Sequence, residues 1–152
     1  MIISFIGHSS IPKKEIVKEK LFELIGSYAK SYDVIMCYLG GHGDFDEIAA
    51  CACRKLKKHY PTIKLIYVTP YISLREQDKI REMIQHGLYD SSLYPPIETV
   101  PNKFAISKRN EWMMKEADII IAYVNRSFGG AYKSLEVARR AKKSIVNICD
   151  FI

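Results

Sequence analysis

The sequence of 152 residues predicts one three-layer α/β domain, Rossmann-like or flavodoxin-like, with a mainly parallel sheet of about five strands. Short apolar runs rich in β-branched residues alternate with longer amphipathic runs, which is typical of strand–helix repeats. The apolar runs lack a polar alternation, so both faces of the sheet should be covered by helices. The length suits a single domain over residues 1–152 with a proper core.

The first half of the chain contains three predicted strand–helix units. The apolar positions between Pro12 and Tyr32 recur at helical spacing, and Gly87 can close the third helix. The predicted strands are Ile2–Gly7, Val34–Gly40 and Lys64–Pro70, and the helices that follow them are Pro12–Tyr32, Asp44–His59 and Leu74–His86.

The second half begins with a stretch rich in Pro, Ser and Tyr that ends at Pro101. We expect an ordered loop there, with room for one short strand. The remaining predicted elements are a helix at Phe104–Glu116, a strand at Ala117–Val124, a helix at Gly130–Lys142 and a strand at Ser144–Cys149. Their alternation calls for right-handed crossovers and parallel pairing.

Charge and cysteine content set expectations about partners, location and metal binding, but they do not identify a ligand. The net charge of +6 permits attraction to phosphates, but the basic residues fall mostly at helix ends and on polar faces, where they complement helix dipoles. The four cysteines and the lack of a signal peptide predict free thiols in the cytoplasm. Cys51 and Cys53 would point to different sides of a helix, so we expect no metal site. We also expect no cofactor and no membrane span.

Three glycine-bearing loops follow predicted strands, and the carboxyl ends of parallel strands share one edge of the sheet. We therefore expect these loops to converge on one ligand. They are Gly7-His8-Ser9-Ser10, Gly40-Gly41-His42-Gly43 and the segment from Asn125 to Gly130.

The third loop is the better predicted phosphate cradle. Gly129 and Gly130 open a helix whose first N–H groups and positive dipole end attract anions. Lys133 and Ser134 add donors. In the second loop the glycines can bring the backbone close to a sugar or base. Asp44 is then best interpreted as a helix cap.

Several polar residues at this edge have alternative interpretations. Asp46 or Glu47 could accept hydrogen bonds from ribose hydroxyls. His8 and His42 could contact the ligand or act as acid or base, or they could simply pack within their loops. Arg109, followed by Asn110, could hold a phosphate or be a surface cation.

Four segments of the chain resemble the SLOG superfamily, which groups the DNA-processing Smf/DprA proteins, the Lonely Guy phosphoribohydrolases and the YspA/YpsA-like proteins. They are "GHS", "GGHGDFDEIA", "KRNEWMMKEADIIIAYV" and "FGGAYKSLEVA". The chain looks most similar to the single-domain YspA/YpsA-like branch. The resemblance implies a Rossmann-like fold that binds nucleotides, nucleotide-derived ligands or nucleic acid, and superfamily members often form dimers.

The resemblance also suggests roles for individual residues. The Lonely Guy signature PGGxGTxxE aligns with Phe128 to Glu136, and Gly129, Gly130 and Glu136 match it. Phe128, Tyr132 and Lys133 depart from it. The Arg-Lys-x-x-Met stretch matches at Arg109 and Met113, with Asn110 replacing Lys. In those enzymes the matched Arg and Glu assist cleavage of an N-glycosidic bond, so the resemblance implies Arg109 and Glu136 as catalytic residues.

Three functions follow, in order of preference. The first is binding of a nucleotide or nucleotide-derived small molecule, for sensing or processing. The second is an N-glycosidase of the phosphoribohydrolase or deoxyribosyltransferase type, acting on nucleoside monophosphates. The third is a module that binds single-stranded nucleic acid, which ranks last because no basic stripe is interleaved with aromatics. A homodimer is a further expectation from the resemblance.

Overall fold

The computed structural model describes residues 1–152 and consists of a six-stranded parallel sheet with helices on both faces. In chain order the elements are β1 (Ile2–Gly7), α1 (Lys14–Ser31), β2 (Ile35–Leu39), α2 (Asp44–Lys57), β3 (Ile63–Val68), α3 (Leu74–Gln85), β4 (Ser91–Leu93), α4 (Ala105–Glu116), β5 (Ile119–Tyr123), α5 (Gly130–Arg140) and β6 (Ser144–Asn147). Short 3₁₀ turns occupy Asn102–Phe104 and Ile148–Phe151.

The strand order is β4-β3-β2-β1-β5-β6, and every pair is parallel. The predicted three-layer α/β class is confirmed. The predicted strand number was wrong by one, because the loop rich in Pro, Ser and Tyr contributes the three-residue strand β4 at the edge. The order β3-β2-β1-β5-β6 is that of a Rossmann-like sheet rather than a flavodoxin-like one.

The chain direction across the sheet changes at β1, which pairs with β2 on one side and β5 on the other. Strands β2, β3 and β4 lie on one side of β1, and β5 and β6 lie on the other. A crevice therefore forms above the carboxyl ends of β1 and β5, which is where ligands bind in open α/β sheets.

The core lies on both faces of the sheet, because alternate side chains of each strand point in opposite directions. On one face Phe5 packs with residues of α1 and α2, including Leu21 and Phe45. On the other face Ile6 packs with residues of α4 and α5, including Met113 and Leu135. This arrangement explains why the strands are continuous apolar runs in the sequence.

Helix α4 is held against β1 by a buried hydrogen bond, in which the Ser4 hydroxyl donates to the Met113 carbonyl at 2.8 Å. On the same helix Trp112 stacks on Tyr38 of β2, with ring centroids 5.7 Å apart. These contacts set the position of the preceding turn of α4, which carries Arg109.

The interpretation of Asp44 as a helix cap was wrong. The residue at the N-cap of α2 is Gly43, and no side chain caps the helix. Instead, Asp44 Oδ2 accepts a hydrogen bond from the Ile11 N–H at 3.0 Å and lies 3.5 Å from Lys14 Nζ. Asp44 therefore links the loop after β1 to the start of α2.

None of the helices has the length and apolar character needed to cross a bilayer.

Candidate functional site

A cavity of about 260 Å³ lies at the carboxyl edge of the sheet, above the ends of β1 and β5. The loops after β1, β2 and β5 and the first turns of α4 and α5 surround it. Only three of its twelve lining residues are hydrophobic, so it offers many polar groups to a phosphate or sugar. The lining residues are Ile6, Gly7, His8, Ser9, His42, Asp46, Ile106, Arg109, Asn110, Arg126, Gly130 and Ala131.

Arg109 is the principal cation of this cavity, although only 2% of its surface is exposed. Its Nη1 donates to the carbonyls of Gly40 at 3.0 Å and Val68 at 2.7 Å, and its Nε donates to Asn110 Oδ1 at 2.9 Å. These bonds connect α4 to the ends of β2 and β3. Nη2 makes no hydrogen bond within the protein and is not fully buried, so it can donate to a ligand.

Burial lowers the pKa of Arg109 from its ordinary value, and the nearby carboxyl of Asp46 opposes that effect. A guanidinium nevertheless stays charged in proteins. The carbonyl oxygens that accept from Nη1 offset part of the cost of burying this charge. A positive group that is largely shielded from solvent attracts an anion more strongly than a fully solvated surface cation does.

Asp46 lies on the same side of the site and is 8% exposed. Its Oδ2 accepts a hydrogen bond from the His42 N–H at 3.0 Å, while Oδ1 has no protein partner. Burial raises the pKa of Asp46 to about 6, and the His42 N–H and the charge of Arg109 reduce the rise. Asp46 is therefore an acceptor when ionised and a hydroxyl donor when protonated.

Gly40 separates the two charged side chains, and its lack of a side chain makes their positions compatible. A Cβ at this position would lie 3.0 Å from Arg109 Cζ and 3.1 Å from both Arg109 Nη2 and Asp46 Oδ2. Either side chain would have to move to accommodate it. The glycine is thus needed for close packing within the protein.

His8 follows β1 directly and is buried. Its Nε2 accepts a hydrogen bond from the Asn125 N–H at 3.1 Å, so the neutral ring carries its proton on Nδ1. Burial, followed by the charge of Arg126, lowers the pKa of His8. The ring packs edge-on against Tyr123. His8 therefore connects the loops after β1 and β5 as a neutral side chain.

The amino end of α5 forms the remaining wall. Gly129 precedes the helix with φ at 91°, a left-handed conformation that glycine adopts more easily than other residues. Gly130 and Ala131 line the cavity. The first N–H groups of a helix have no intrahelical acceptors, so they and the helix dipole face the cavity as a positive end. The predicted donor Ser134 is buried, and its hydroxyl donates to the Gly130 carbonyl at 3.1 Å.

The other predicted site residues lie outside this lining. Gly41, at φ 64°, packs against Tyr67, and Gly43, at φ 88°, packs against Ser9. Lys133 is exposed on α5. Glu136 forms an ion pair with Arg139 on the same helix. Seven predicted site residues do line one cavity: Gly7, His8, His42, Asp46, Arg109, Asn110 and Gly130. Their functional roles stay predictions.

Sequence reasoning missed the lining residues Ile6, Ile106 and Ala131, and it placed Ser9 and Arg126 in the predicted ligand loops without singling them out. Arg126 had a usable signal, because it is the second residue after the strand predicted to end at Val124. Ile106 lies three residues before Arg109 and so shares its face of α4. Nothing in the local sequence distinguishes Ser9 from its neighbour Ser10.

No protein-family model matches the chain. It is 27% identical over 141 residues to the uncharacterized SPbeta prophage-derived protein YoqJ of Bacillus subtilis (strain 168), a match that covers 82% of this chain and 81% of YoqJ. Among solved structures, DNA processing protein A (DprA) from Helicobacter pylori superposes with a TM-score of 0.62 and 20% identity over 95% of this chain.

The chain has the fold of DprA. The Streptococcus pneumoniae DprA also gives a TM-score of 0.62, with 13% identity over 94% of this chain. This chain spans only 63% of the H. pylori protein and 48% of the S. pneumoniae protein. The molybdenum cofactor carrier protein of Chlamydomonas reinhardtii gives a TM-score of 0.55 and 16% identity over 96% of this chain and 74% of that protein. These likenesses show a Rossmann-like fold.

Proposed function

We propose that the cavity beside Arg109 binds a nucleotide or a nucleotide-derived small molecule. The observation that carries the proposal is Arg109 itself: a buried guanidinium fixed by two strand-end carbonyls, with one nitrogen left for a ligand. The amino end of α5 and Arg126 line the same cavity. A phosphate there would meet three independent sources of positive potential.

Asp46 supports the sugar part of this proposal. A carboxylate beside the glycine-rich loop after β2 is suited to accept from ribose hydroxyls. Its Oδ1 has no partner in the protein. Since a carboxylate repels phosphate, we place the phosphate toward α5 and Arg126 and the sugar toward Asp46.

The test is isothermal titration with ribose 5-phosphate and a panel of nucleoside monophosphates. Arg126 is exposed, so Arg126→Gln should fold, and we expect it to weaken binding by about tenfold or more, as for loss of a hydrogen bond to a charged group. Arg140→Gln, an equal charge change at the other end of α5, should leave affinity unchanged. Absence of any ligand tighter than millimolar would refute the proposal.

Binding of single-stranded nucleic acid is a second candidate, and two exposed aromatic residues favour it. Phe128 is 66% exposed with Arg126 5.0 Å from its ring centroid, and Phe104 is half exposed with Lys103 at 5.1 Å. Aromatic faces beside cations suit base stacking on a strand. One of the structural neighbours is described by its single-stranded DNA binding mode.

Fluorescence anisotropy with an oligothymidine tests this candidate. We expect Phe128→Ala to weaken binding, whereas Phe151→Ala, an equally exposed aromatic at the end of the chain, should not. Affinity should also fall with salt as phosphate contacts release counterions. Equal effects of the two substitutions would exclude stacking at this edge.

The N-glycosidase alternative needs a carboxyl group near the reacting bond. Asp46, with its raised pKa, lies in the cavity, whereas the predicted catalytic Glu136 pairs with Arg139 outside the lining. Release of free base from a nucleoside monophosphate would establish turnover. Comparison of Asp46→Asn with Glu136→Gln would then show which carboxyl is catalytic.

Our remaining proposals concern domain organisation, superfamily branch, cellular location and assembly. We propose a single domain over residues 1–152, membership of the YspA/YpsA-like branch of the SLOG superfamily, a cytoplasmic location and a homodimer. The 27% identity to YoqJ over most of both chains is compatible with a branch of small proteins. Sedimentation equilibrium would test the homodimer.

A further inference from the structure

A second cavity, of about 290 Å³, opens at the same edge of the sheet. One wall is the segment after β3, which begins at Pro70, two residues beyond the Val68 carbonyl that accepts from Arg109. The opposite wall is formed by residues of the segment from Tyr94 to Val100, and the start of α4 closes the base. This cavity was not predicted from the sequence.

The two cavities are neighbours across one turn of α4. Ala105 lines the second cavity, and Arg109, four residues later, lines the first. One helical turn advances about 5.4 Å. A ligand that contacts Arg109 with its phosphate could therefore extend over this turn into the second cavity.

Six of the ten residues that line the second cavity are hydrophobic, against three of twelve in the first, while polar and apolar atoms contribute about equally to the surface of both. Tyr71, Tyr94, Ile72 and Ile97 supply flat or apolar surfaces, which suit the face of a planar ring. Besides the two tyrosines, the polar side chains are Ser73, Glu98 and Asn102. Such isolated polar groups usually orient a ligand by its edge. The negative charge of Glu98 disfavours a phosphate at this position.

The first wall is held in place by hydrogen bonds. Thr69 Oγ1 donates to the Tyr71 carbonyl at 3.0 Å and accepts from the Tyr71 N–H at 3.2 Å. Gln77 Nε2 donates to the Ile72 carbonyl at 2.8 Å. Since Ser73 caps α3 by accepting from the Glu76 N–H, this wall is anchored to a helix.

The second wall is stiffened by its prolines. Pro95, Pro96 and Pro101 each have a fixed φ, and the Val100 N–H donates to the Ile97 carbonyl at 3.0 Å. Ile97 is buried and anchors the segment. The cavity is therefore largely pre-formed, which reduces the entropy lost on binding.

Exposed apolar side chains concentrate around the opening. Ile72, Leu74 and Phe104 are 55%, 78% and 50% exposed. Ile72 lines the cavity, and the other two are adjacent in sequence to the lining residues Ser73 and Ala105. Several large apolar groups left in water around one concavity are typical of a binding site.

We propose that this second cavity binds the nucleobase of a ligand whose sugar and phosphate occupy the cavity beside Arg109. This inference rests on the proposed function, because it assigns the base of the same ligand. It also explains why the polar cavity contains no aromatic ring apart from histidine.

The experiment compares AMP with ribose 5-phosphate, which lacks the base, by isothermal titration. We expect AMP to bind about tenfold or more tightly than ribose 5-phosphate, as one stacked base contributes. Tyr94→Ala and Ile72→Asp should each remove most of that difference while leaving the affinity for ribose 5-phosphate unchanged. Ile72 is exposed, so its substitution should not impair folding. Tyr32→Ala, which removes an exposed tyrosine at the end of α1, is the matched control.

Methyl-labelled NMR locates the base. AMP should shift the methyl signals of Ile72, Ile97 and Val100, whereas ribose 5-phosphate should shift only those of Ile6, Ile106 and Ala131. Equal affinities for the two ligands, or AMP shifts confined to Ile6, Ile106 and Ala131, would overturn the base site and leave the proposed function standing. Failure of both ligands to bind would overturn both proposals.

Discussion

Replacing Asp46 by asparagine should stabilise the folded protein at neutral pH, although it removes a residue of the candidate site. Burial raises the pKa of Asp46 from its ordinary value of 3.8 to about 6. An acid whose pKa is higher in the folded chain favours folding while protonated. That contribution is complete below about pH 4 and is lost as the pH rises through about 6, because the folded state must then bury the carboxylate.

The size of the effect follows from the pKa difference. A rise of about two pKa units corresponds to about 3 kcal/mol between fully protonated and fully ionised Asp46, and about half of that develops between pH 5 and pH 8. Asparagine retains an oxygen that can accept from the His42 N–H, which Asp46 Oδ2 accepts in the native protein. The substitution therefore removes the charge without leaving that donor unpaired.

The assay is urea unfolding followed by circular dichroism at several values between pH 5 and pH 8. The free energy of unfolding of Asp46→Asn should exceed that of the native protein by an amount that grows with pH. Glu47→Gln, the same charge change at the adjacent exposed position of α2, should show no such growth. A difference that stays constant or shrinks with pH would show that Asp46 is not a buried carboxyl with a raised pKa.

Two further predictions concern packing at the same edge. Arg109→Lys should lower the free energy of unfolding by about 1–3 kcal/mol and weaken phosphate binding, because an ammonium cannot reproduce the two hydrogen bonds to the carbonyls of Gly40 and Val68. Native stability in urea unfolding together with native affinity in isothermal titration would contradict this prediction. Gly7→Ala should be destabilising by about 1–3 kcal/mol, since its Cβ would lie 2.4 Å from Phe45 Cγ. Gly26→Ala, whose Cβ would lie at an ordinary contact distance of 3.5 Å from Leu56 Cδ2, should be neutral or stabilising, and thermal melts of the two variants would show the difference.

Much of the fold was predictable because its signals are local. The strand Ile2–Gly7 was predicted with the bounds that the structure has, and the other helices and strands were predicted to within a few residues. The short strand β4 was expected only as an option, because three exposed or half-exposed residues carry no hydrophobic period. Its pairing with β3 depends on contacts between segments distant in the sequence, and this accounts for the error in the predicted number of strands.

The candidate site was predictable in its location and less so in its composition. The rule that loops after parallel strands share an edge led to Gly7, His8, His42 and Gly130, all of which line the cavity. The same rule could not tell which glycines face a ligand and which face the protein. Gly41 and Gly43 approach Tyr67 and Ser9 instead, and no local pattern encodes those contacts.

The sequence by itself determined the α/β class, the parallel pairing and the edge at which a ligand would bind, because periodicity and glycine-bearing loops are properties of neighbouring residues. Only the tertiary structure decided that Arg109 is a buried cation beside Asp46. Its hydrogen bonds reach carbonyls 69 and 41 residues away. Burial and charge pairing of this kind depend on which segments meet in space, and they set both the donor left for a ligand and the pKa of the acid beside it.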